Sequence, residues 1–241
     1  MNTNVFLMSG RGQRFKNSSY DVPKQFLKIK NSKYIIDEII QNSPTADETI
    51  FVINDELNNY DIYKEWISSL KFKFRIHNVG TPTEGQASSL YSIKDIVNKS
   101  SSLFVSPCDT VIYSKKVKNI FSTSAEHAVF TVNPNNYHIK NSSQFGWVEN
   151  TSQNIKIYCK EMPSNLLLSN VILGFFYYKN FSVFEKGYSQ VVKQNTRVNN
   201  EYYLDTVIES LLNKKNKFEE IVVKKYLSFG TPKEYEKNKN V

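Results

Sequence analysis

Short apolar runs alternate with helix-spaced stretches through the first half of the chain. Asn4 to Met8 (NVFLM) reads as a buried strand that ends at a turn carrying Gly10 and Gly12. Ile35, Ile36, Ile39 and Ile40 recur at i, i+1, i+4 and i+5, the spacing of one helical face. Thr49 to Ile53 predicts a second strand and Trp66 to Leu70 lies on a second helix. Phe72 to His77 alternates like a strand, and Ala87 to Val97 puts Leu90, Ile93 and Val97 on one helical face. Leu103 to Val105 then runs as a strand into Pro107-Cys108-Asp109. Strands alternating with helices predict parallel βαβ units, hence a doubly wound sheet with helices on both faces.

Beyond about residue 126 the pattern turns strand-rich. His127 to Val132, Gly146 to Val148, Ile155 to Cys159 and Val171 to Tyr178 are the candidates. The last is too continuously apolar to be half exposed, which makes it a central strand. Asp205 to Leu212 predicts a helix with Val207, Ile208, Leu211 and Leu212 inward, and Ile221 to Tyr226 a last strand. Pro232 to Tyr235 starts a terminal helix with Thr231 as its N-cap, leaving a polar, frayed tail at Lys237 to Val241. There is no repeat and no long linker. The expectation is one α/β domain over residues 1–241, three-layer αβα, with a mixed, mostly parallel central sheet.

Composition narrows the class. Hydrophobic residues make up 40% and charged residues 22% of 241, which supplies a core and excludes a disordered chain. Cys108 and Cys159 are the only cysteines, so neither a disulfide framework nor a cysteine zinc site is expected. His77, His127 and His138 show no metal-ligand spacing. The formal charge of +8 admits a nucleic-acid binder, but the lysines fall in separate short clusters (Lys28, Lys30 and Lys33; Lys214, Lys215 and Lys217; Lys224 and Lys225). Spread over a surface, that charge favours small polyanionic ligands instead. The most apolar stretch, Val171 to Tyr178, is far short of the ~20 residues of a membrane span, and the first residues lack a signal-peptide pattern. A cytoplasmic protein without nucleic-acid or membrane partners is expected; the oligomeric state is left open.

Chemistry concentrates in Ser9-Gly10-Arg11-Gly12-Gln13-Arg14-Phe15, directly after the first strand. Two glycines let the backbone approach an anion, and ligands of open α/β sheets bind beyond the carboxyl ends of the strands. The segment is neither a dinucleotide fingerprint, because Phe15 stands at the third glycine position, nor a P-loop. On its own it also fits an ordinary strand-to-helix turn. Downstream, Pro23-Lys24-Gln25 places a lysine near the end of the same loop, so Arg14 and Lys24 are positioned to flank one set of phosphates.

FLMSGRGQRF followed by DVPKQFLKI resembles the signature of nucleotidyltransferases that activate sugar phosphates and related phosphomonoesters. Thr83-Glu84-Gly85-Gln86-Ala87-Ser88 is similar to their base-contacting loop, Ser106-Pro107-Cys108-Asp109 to the strand end whose aspartate holds magnesium, and Gly230-Thr231-Pro232 to their late Gly-Thr-Pro turn. The resemblance implies a nucleotide-binding half over about 1–126 and an acceptor-binding half over about 127–241. It implies Met8, Ser9, Gly10, Arg11, Gly12, Gly85, Gln86, Ser88 and Cys108 at the nucleotide, and Arg14 and Lys24 as catalytic. Mg²⁺ is the implied cofactor, with Asp109 as a ligand. Many sugar-phosphate members carry a second metal aspartate two residues before Gly-Thr; here that position is Ser228. Asp205, in a segment similar to one of phosphocholine cytidylyltransferases, is the expected replacement, with Glu201 in reserve and a plain helix-start acid as its bland alternative. Gly146-Trp147-Val148, Lys160-Glu161-Met162-Pro163 and Asn170 to Gly174 resemble acceptor segments. They nominate Trp147, Lys160, Glu161, Asn170, Gly174 and Glu201 as acceptor-binding. Met162 stands where the family carries a lysine, which Lys160 is expected to replace.

The implied reaction is attack of an acceptor phosphate on the α-phosphorus of an NTP, with pyrophosphate leaving. CTP is favoured, because of the Asp205 segment and because Gln86 offers both donor and acceptor to a pyrimidine. Phosphocholine or phosphoglutamine cytidylyltransferases of surface-polysaccharide synthesis are the nearest resemblance. A sugar-1-phosphate uridylyl-, thymidylyl- or guanylyltransferase and a non-catalytic nucleotide-binding relative remain alternatives.

Overall fold

The computed structural model describes residues 1–151, 154–212 and 217–241; Lys214 and Lys215 of the expected lysine cluster lie outside them. The strands are β1 (Asn2–Leu7), β2 (Glu48–Ile53), β3 (Phe74–Asn78), β4 (Ser102–Pro107), β5 (Thr110–Ile112), β6 (His127–Val132), β7 (Gly146–Asn150), β8 (Ile155–Cys159), β9 (Ser169–Tyr178), β10 (Phe218–Val222) and β11 (Tyr226–Ser228). The helices are α1 (Gln13–Lys16), α2 (Ile35–Asn42), α3 (Asp55–Asn58), α4 (Asp61–Ser69), α5 (Gln86–Tyr91), α6 (Lys115–Lys118), α7 (Asn136–Lys140), α8 (Phe181–Lys193), α9 (Leu204–Leu211) and α10 (Pro232–Asn238).

The main sheet runs β10-β6-β9-β4-β1-β2-β3, with β7 added on β9 and β8 on β7. Along the main path only β9 runs against its neighbours. The fold is therefore three-layer α/β with a mixed, mostly parallel sheet, and β9 is central as its apolar run predicts. Helices cover both faces, which is why β2 is buried at every position. The two-residue strand period sorts the core. Val5, Val52 and Val105 face α5, α8 and α9, whereas Phe6, Phe51 and Ile53 face α2 and α4.

β1 sends the chain to β2 and β3 on one side, and the chain then returns to β4 on the other. The carboxyl ends of β1 and β4 thus meet where the strand order reverses, the position at which such sheets leave a crevice. The glycine loop leaves β1 there and Cys108-Asp109 leaves β4.

Four expectations change. The regular helix after Gly85 stops at Tyr91, and turns carry the chain on to Val97. Ser92 Oγ bonds the Ser89 carbonyl there, competing with the helical ladder. Ile221 to Tyr226 is two strands: β10 ends at Val222 beside β6, and β11 pairs antiparallel with β5 in a separate two-stranded sheet. The tail is helical as far as Asn238, with the Lys239 amide bonded to the Tyr235 carbonyl and its ammonium to Glu236. Helix α8 had no counterpart in the sequence reading. Thr231 caps α10 as expected, its Oγ accepting from the Glu234 amide.

Phe51 stacks on Phe6 at 5.5 Å and meets Trp66 edge-on at 5.2 Å. Phe51→Ala is expected to cost about 3–5 kcal/mol. A urea titration checks it: the midpoint should fall with the slope unchanged.

Candidate active site

Two clefts of about 170 Å³ each open beyond the carboxyl ends of β1 and β4. The first is lined by Ser9, Gly10 and Arg11, by Thr83, Gly85 and Gln86, and by Lys24, Cys108 and Glu201. The second is lined by Arg14, Lys160, Gly174 and Asp205, with an aromatic wall of Tyr137, Phe145, Tyr203 and Tyr226. Gln86, Pro107 and Asp109 line both. A smaller hollow of about 40 Å³, lined by Met8, Gly12 and Phe15, adjoins the first through Gly10, Arg11, Lys24 and Cys108.

Lys24 and Asp109 form the centre. Pro23 holds the chain extended before Lys24, and Lys24 Nζ donates to Asp109 Oδ2 at 2.5 Å, each side chain 21% exposed. Burial opposes both charges. Asp109 nevertheless outweighs it and holds the Lys24 ammonium above its ordinary range. Lys24, then Thr110 and Arg14, hold the Asp109 carboxyl below its own. The pair is thus ionised at neutral pH. Cys108 next to it is pushed up to about 11 by burial, so it is a thiol and not a nucleophile at neutral pH.

Gly12 sits at φ +63 and opens α1, which turns Arg14 toward the second cleft. Gly85, at φ +108, brings the start of α5 against Tyr202; a Cβ there would lie 2.6 Å from the Tyr202 carbonyl oxygen. Ser9 Oγ, Ser89 Oγ and Thr83 Oγ1 form a chain at 3.0 and 2.6 Å, and Thr83 donates onward to the Gly85 carbonyl. With that proton spent, Ser89 donates to Thr83 and Ser9 to Ser89. That leaves acceptor capacity on the hydroxyl of Ser9, a buried residue at the lining of the first cleft.

Asp205 lies across the second cleft in the first turn of α9. Burial pushes its carboxyl up to about 6, against the pull of Lys160 and a hydrogen bond with the Cys159 thiol. A Cβ on Gly146 would run into this carboxylate, so glycine makes room for it. Lys160 enters the cleft from a residue at φ +57; its Nζ donates to the Gln144 carbonyl and lies 5.4 Å over the Tyr203 ring.

The profile of the family described as "Nucleotidyl transferase" matches residues 3–240. The chain belongs to the nucleotidyl transferase family. No curated protein matches it. Among solved structures, the family's shared fold is seen in a nucleoside-diphosphate-sugar pyrophosphorylase from Vibrio cholerae RC9. That structure is 16% identical, covers 97% of this chain and 98% of its own, and superposes with a TM-score of 0.77. An inositol-1-phosphate CTP transferase from T. maritima is 15% identical over 97% of this chain and 91% of its own, at 0.68. A UTP-bound UGPase from Acinetobacter baumannii is 15% identical over 99% and 92%, at 0.71.

Most residues nominated from the sequence gather at these clefts, and four do not. Trp147 is fully buried and packs with Tyr158 and Val171, because the strand period turns it away from the side where Gly146 meets Asp205. Ser88 Oγ bonds Tyr188 OH of α8, and Ser88 lines neither cleft. Glu161 follows the positive-φ turn at Lys160 outward into solvent. Asn170 on β9 donates to Glu220 on β10 at 2.8 Å, across the intervening β6. Glu201 is in the first cleft beside Gly85, not with the acceptor segments.

Sequence reasoning missed His138, Tyr226 and Glu234, which line the second cleft. His138 Nδ1 accepts from the Asn135 amide, so Nε2 donates to Tyr226 OH at 2.8 Å and leaves the tyrosine proton for a ligand. The Asn135 N-cap before α7 was the one local signal of this arrangement. Among the described residues no group of three His, Cys, Asp or Glu is arranged to hold a metal ion. A divalent ion bound here therefore takes part of its shell from substrate oxygens, as magnesium commonly does.

Because the Asp205 carboxyl is raised in the fold, its neutral form stabilises the native state. That contribution is complete below the unfolded value of ~3.9 and is lost as pH rises through about 6. Asp205→Asn is expected to raise stability at pH 8 by about 1–3 kcal/mol. The gain should shrink toward pH 4, which paired urea titrations at the two pH values check.

Proposed function

We propose that the protein transfers a nucleoside monophosphate, CMP from CTP by preference, to a small phosphomonoester and releases pyrophosphate. The observation that carries this reading is the Lys24–Asp109 pair, shared between a cleft rimmed by the glycine loop and one lined by Arg14, Lys160 and Asp205. Residues 1–126 supply the nucleotide side and 127–241 most of the acceptor side of one domain.

A phosphomonoester has a second pKa near ~6 and is mostly a dianion at neutral pH, so no general base is needed. That accords with His138 being committed to Tyr226 and Asn135. The work is alignment and charge neutralisation. Gly10, Arg11 and Gly12 cradle the triphosphate, and Arg14 holds its β- and γ-phosphates. Lys24 leaves Asp109 for the α-phosphate and stabilises the charge that develops during transfer. Lys160 and the Tyr226 hydroxyl orient the acceptor. Asp109 and Asp205, with Glu201 in reserve, are the carboxylates that would hold Mg²⁺, which would supply charge neutralisation and alignment of phosphate oxygens.

The hydroxyl chain at Ser9 supports CTP: it offers an acceptor, which suits the amino group of cytosine better than the carbonyl of uracil. A cytoplasmic enzyme making an activated precursor for capsule or another surface polysaccharide fits this chemistry. The second reading is a sugar-1-phosphate uridylyl-, thymidylyl- or guanylyltransferase. It draws support from the sugar pyrophosphorylase and UTP-bound neighbours.

The test is pyrophosphate release with Mg²⁺, each common NTP, and a pool of phosphorylated sugars, polyols, choline and amino-acid amides. Release with CTP and one acceptor is expected. Release with UTP, dTTP or GTP and a sugar 1-phosphate supports the second reading. No release despite tight NTP binding points to a non-catalytic relative. In the active pair, Lys24→Ala should lower kcat by about 10²–10³ with the fold intact by circular dichroism. Near-normal turnover would remove Lys24 from the mechanism.

A further inference from the structure

Segment 195–203 is strapped onto loop 83–86, and it carries the exposed Glu201 side chain to the wall of the first cleft. Val198 and Glu201 exchange two amide–carbonyl bonds of 3.0 Å around Asn199 and Asn200, which sit at φ +50 and +64. That is the backbone of a two-residue hairpin turn, a conformation asparagine adopts more readily than most residues. The Tyr202 amide then donates to the Glu84 carbonyl at 2.7 Å, and the Ala87 amide to the Tyr202 carbonyl at 3.0 Å, one bond on each side of Gly85. Arg197 clamps the two pieces together: it bonds Glu84 Oε2 at 2.9 Å and lies 4.1 Å over the Tyr202 ring. The backbone at Glu201 is thereby fixed against Gly85.

A carboxylate in a cleft that takes a triphosphate needs a reason. Among the described residues Glu201 forms no ion pair, and Arg197 is committed to Glu84. Its charge repels phosphate, so it suits the part of a nucleotide that is neutral and rich in hydrogen-bond donors, the ribose. Its place agrees. Glu201 lines the first cleft, whereas Tyr203, two residues on, lines the second. Glu201 therefore stands near the partition where Gln86 and Asp109 serve both clefts, on the side of the donor nucleotide. Burial, and then the Glu201 carboxylate beside it, push the Tyr203 phenol up, so the phenol keeps its proton and offers it to Glu201. A carboxylate has lone pairs for that phenol and for a ligand at once.

We propose that Glu201 reads the sugar of the donor nucleotide by accepting from its ribose hydroxyls, and so selects a ribonucleoside triphosphate over its 2′-deoxy counterpart. The inference rests on the nucleotidyl-transfer reading for the identity of the ligand. Carboxylates accept from ribose hydroxyls in this way in dinucleotide-binding folds. A site built to bond a hydroxyl discriminates against the analogue that lacks it, because the acceptor is left unpaired. Glu201 then serves the sugar and not the metal, and dTTP, without a 2′-hydroxyl, becomes a poor donor.

The test is calorimetric titration of the protein, with Mg²⁺ and without acceptor, by CTP, UTP and their 2′-deoxy counterparts. Wild type is expected to bind its preferred ribonucleotide about 10–100-fold tighter than the deoxy form. Glu201→Ala should bring that ratio to within about threefold, through weaker binding of the ribonucleotide, and Glu201→Gln, which keeps one acceptor, should fall in between. Glu185→Gln is the charge control: Glu185 on α8 pairs with Lys99 and lines neither cleft, so its variant should keep the wild-type ratio. A merely structural role for Glu201 would weaken both forms alike, and an unchanged ratio in Glu201→Ala would overturn the assignment. Equal binding of the two forms by wild type would overturn it too, and absence of any nucleotide binding would overturn it together with the transfer reading. If the ratio collapses with Glu201→Ala while no NTP and acceptor pair turns over, the transfer reading fails and the ribose assignment stands.

Discussion

The ion pair between Lys24 and Asp109 is the constraint on which the site depends. It joins the loop after β1 to the turn after β4 at the place where the strand order reverses. Two charges held this far from water are costly unless each satisfies the other, so neither side chain is free to wander. The pair fixes the glycine loop against Asp109 before any ligand arrives. It also stores a cation next to a carboxylate, the arrangement that a phosphate and a divalent ion can exchange into.

Around that centre the fold separates two kinds of work. The parallel strands β1 and β4 present backbone, glycine and hydroxyl groups to the first cleft, the side proposed for the nucleotide. The antiparallel β9 and the β7–β8 hairpin shape the second cleft, the side proposed for the acceptor, with Gly174, Lys160 and the space at Gly146 that admits Asp205. Asp205 shows the strain between stability and function. It is buried at a cost in charge, next to a thiol and against a glycine. A protein built only for stability would place an amide there. The aromatic wall of Tyr137, Phe145, Tyr203 and Tyr226 completes a cleft that is otherwise lined mostly by polar and charged groups.

The first half of the fold was legible because β2, β1 and β4 are covered on both faces and so are written as unbroken apolar runs. The glycine loop, Lys24 and Asp109 were legible for a related reason. The glycine loop and Asp109 follow directly on β1 and β4, and Lys24 follows the proline that ends the same connection, beyond α1. Glu234, Tyr226 and His138 were not, because they reach the cleft only through pairing across long separations, β11 on β5 and α7 against β11. Trp147 misled because a strand puts consecutive residues on opposite faces, and the motif around it marks Gly146 rather than the large side chain. Helix α8 was missed because its first turn, Phe181-Ser182-Val183-Phe184, continues the apolar run of β9 across a short Lys179-Asn180 break. Ile221 to Tyr226 read as one strand because Lys224 and Lys225, which interrupt its apolar run where the chain changes sheet, also fit the exposed positions of a strand.

In the proposed reaction Lys24 exchanges a carboxylate for a phosphate when the nucleotide binds. A crystal structure with Mg²⁺ and CTP tests it most directly. Lys24 Nζ should then lie on an α-phosphate oxygen, with the triphosphate along Gly10 to Arg14 and the ion on Asp109. A nucleotide bound elsewhere, with Lys24 still paired to Asp109 Oδ2, would contradict it.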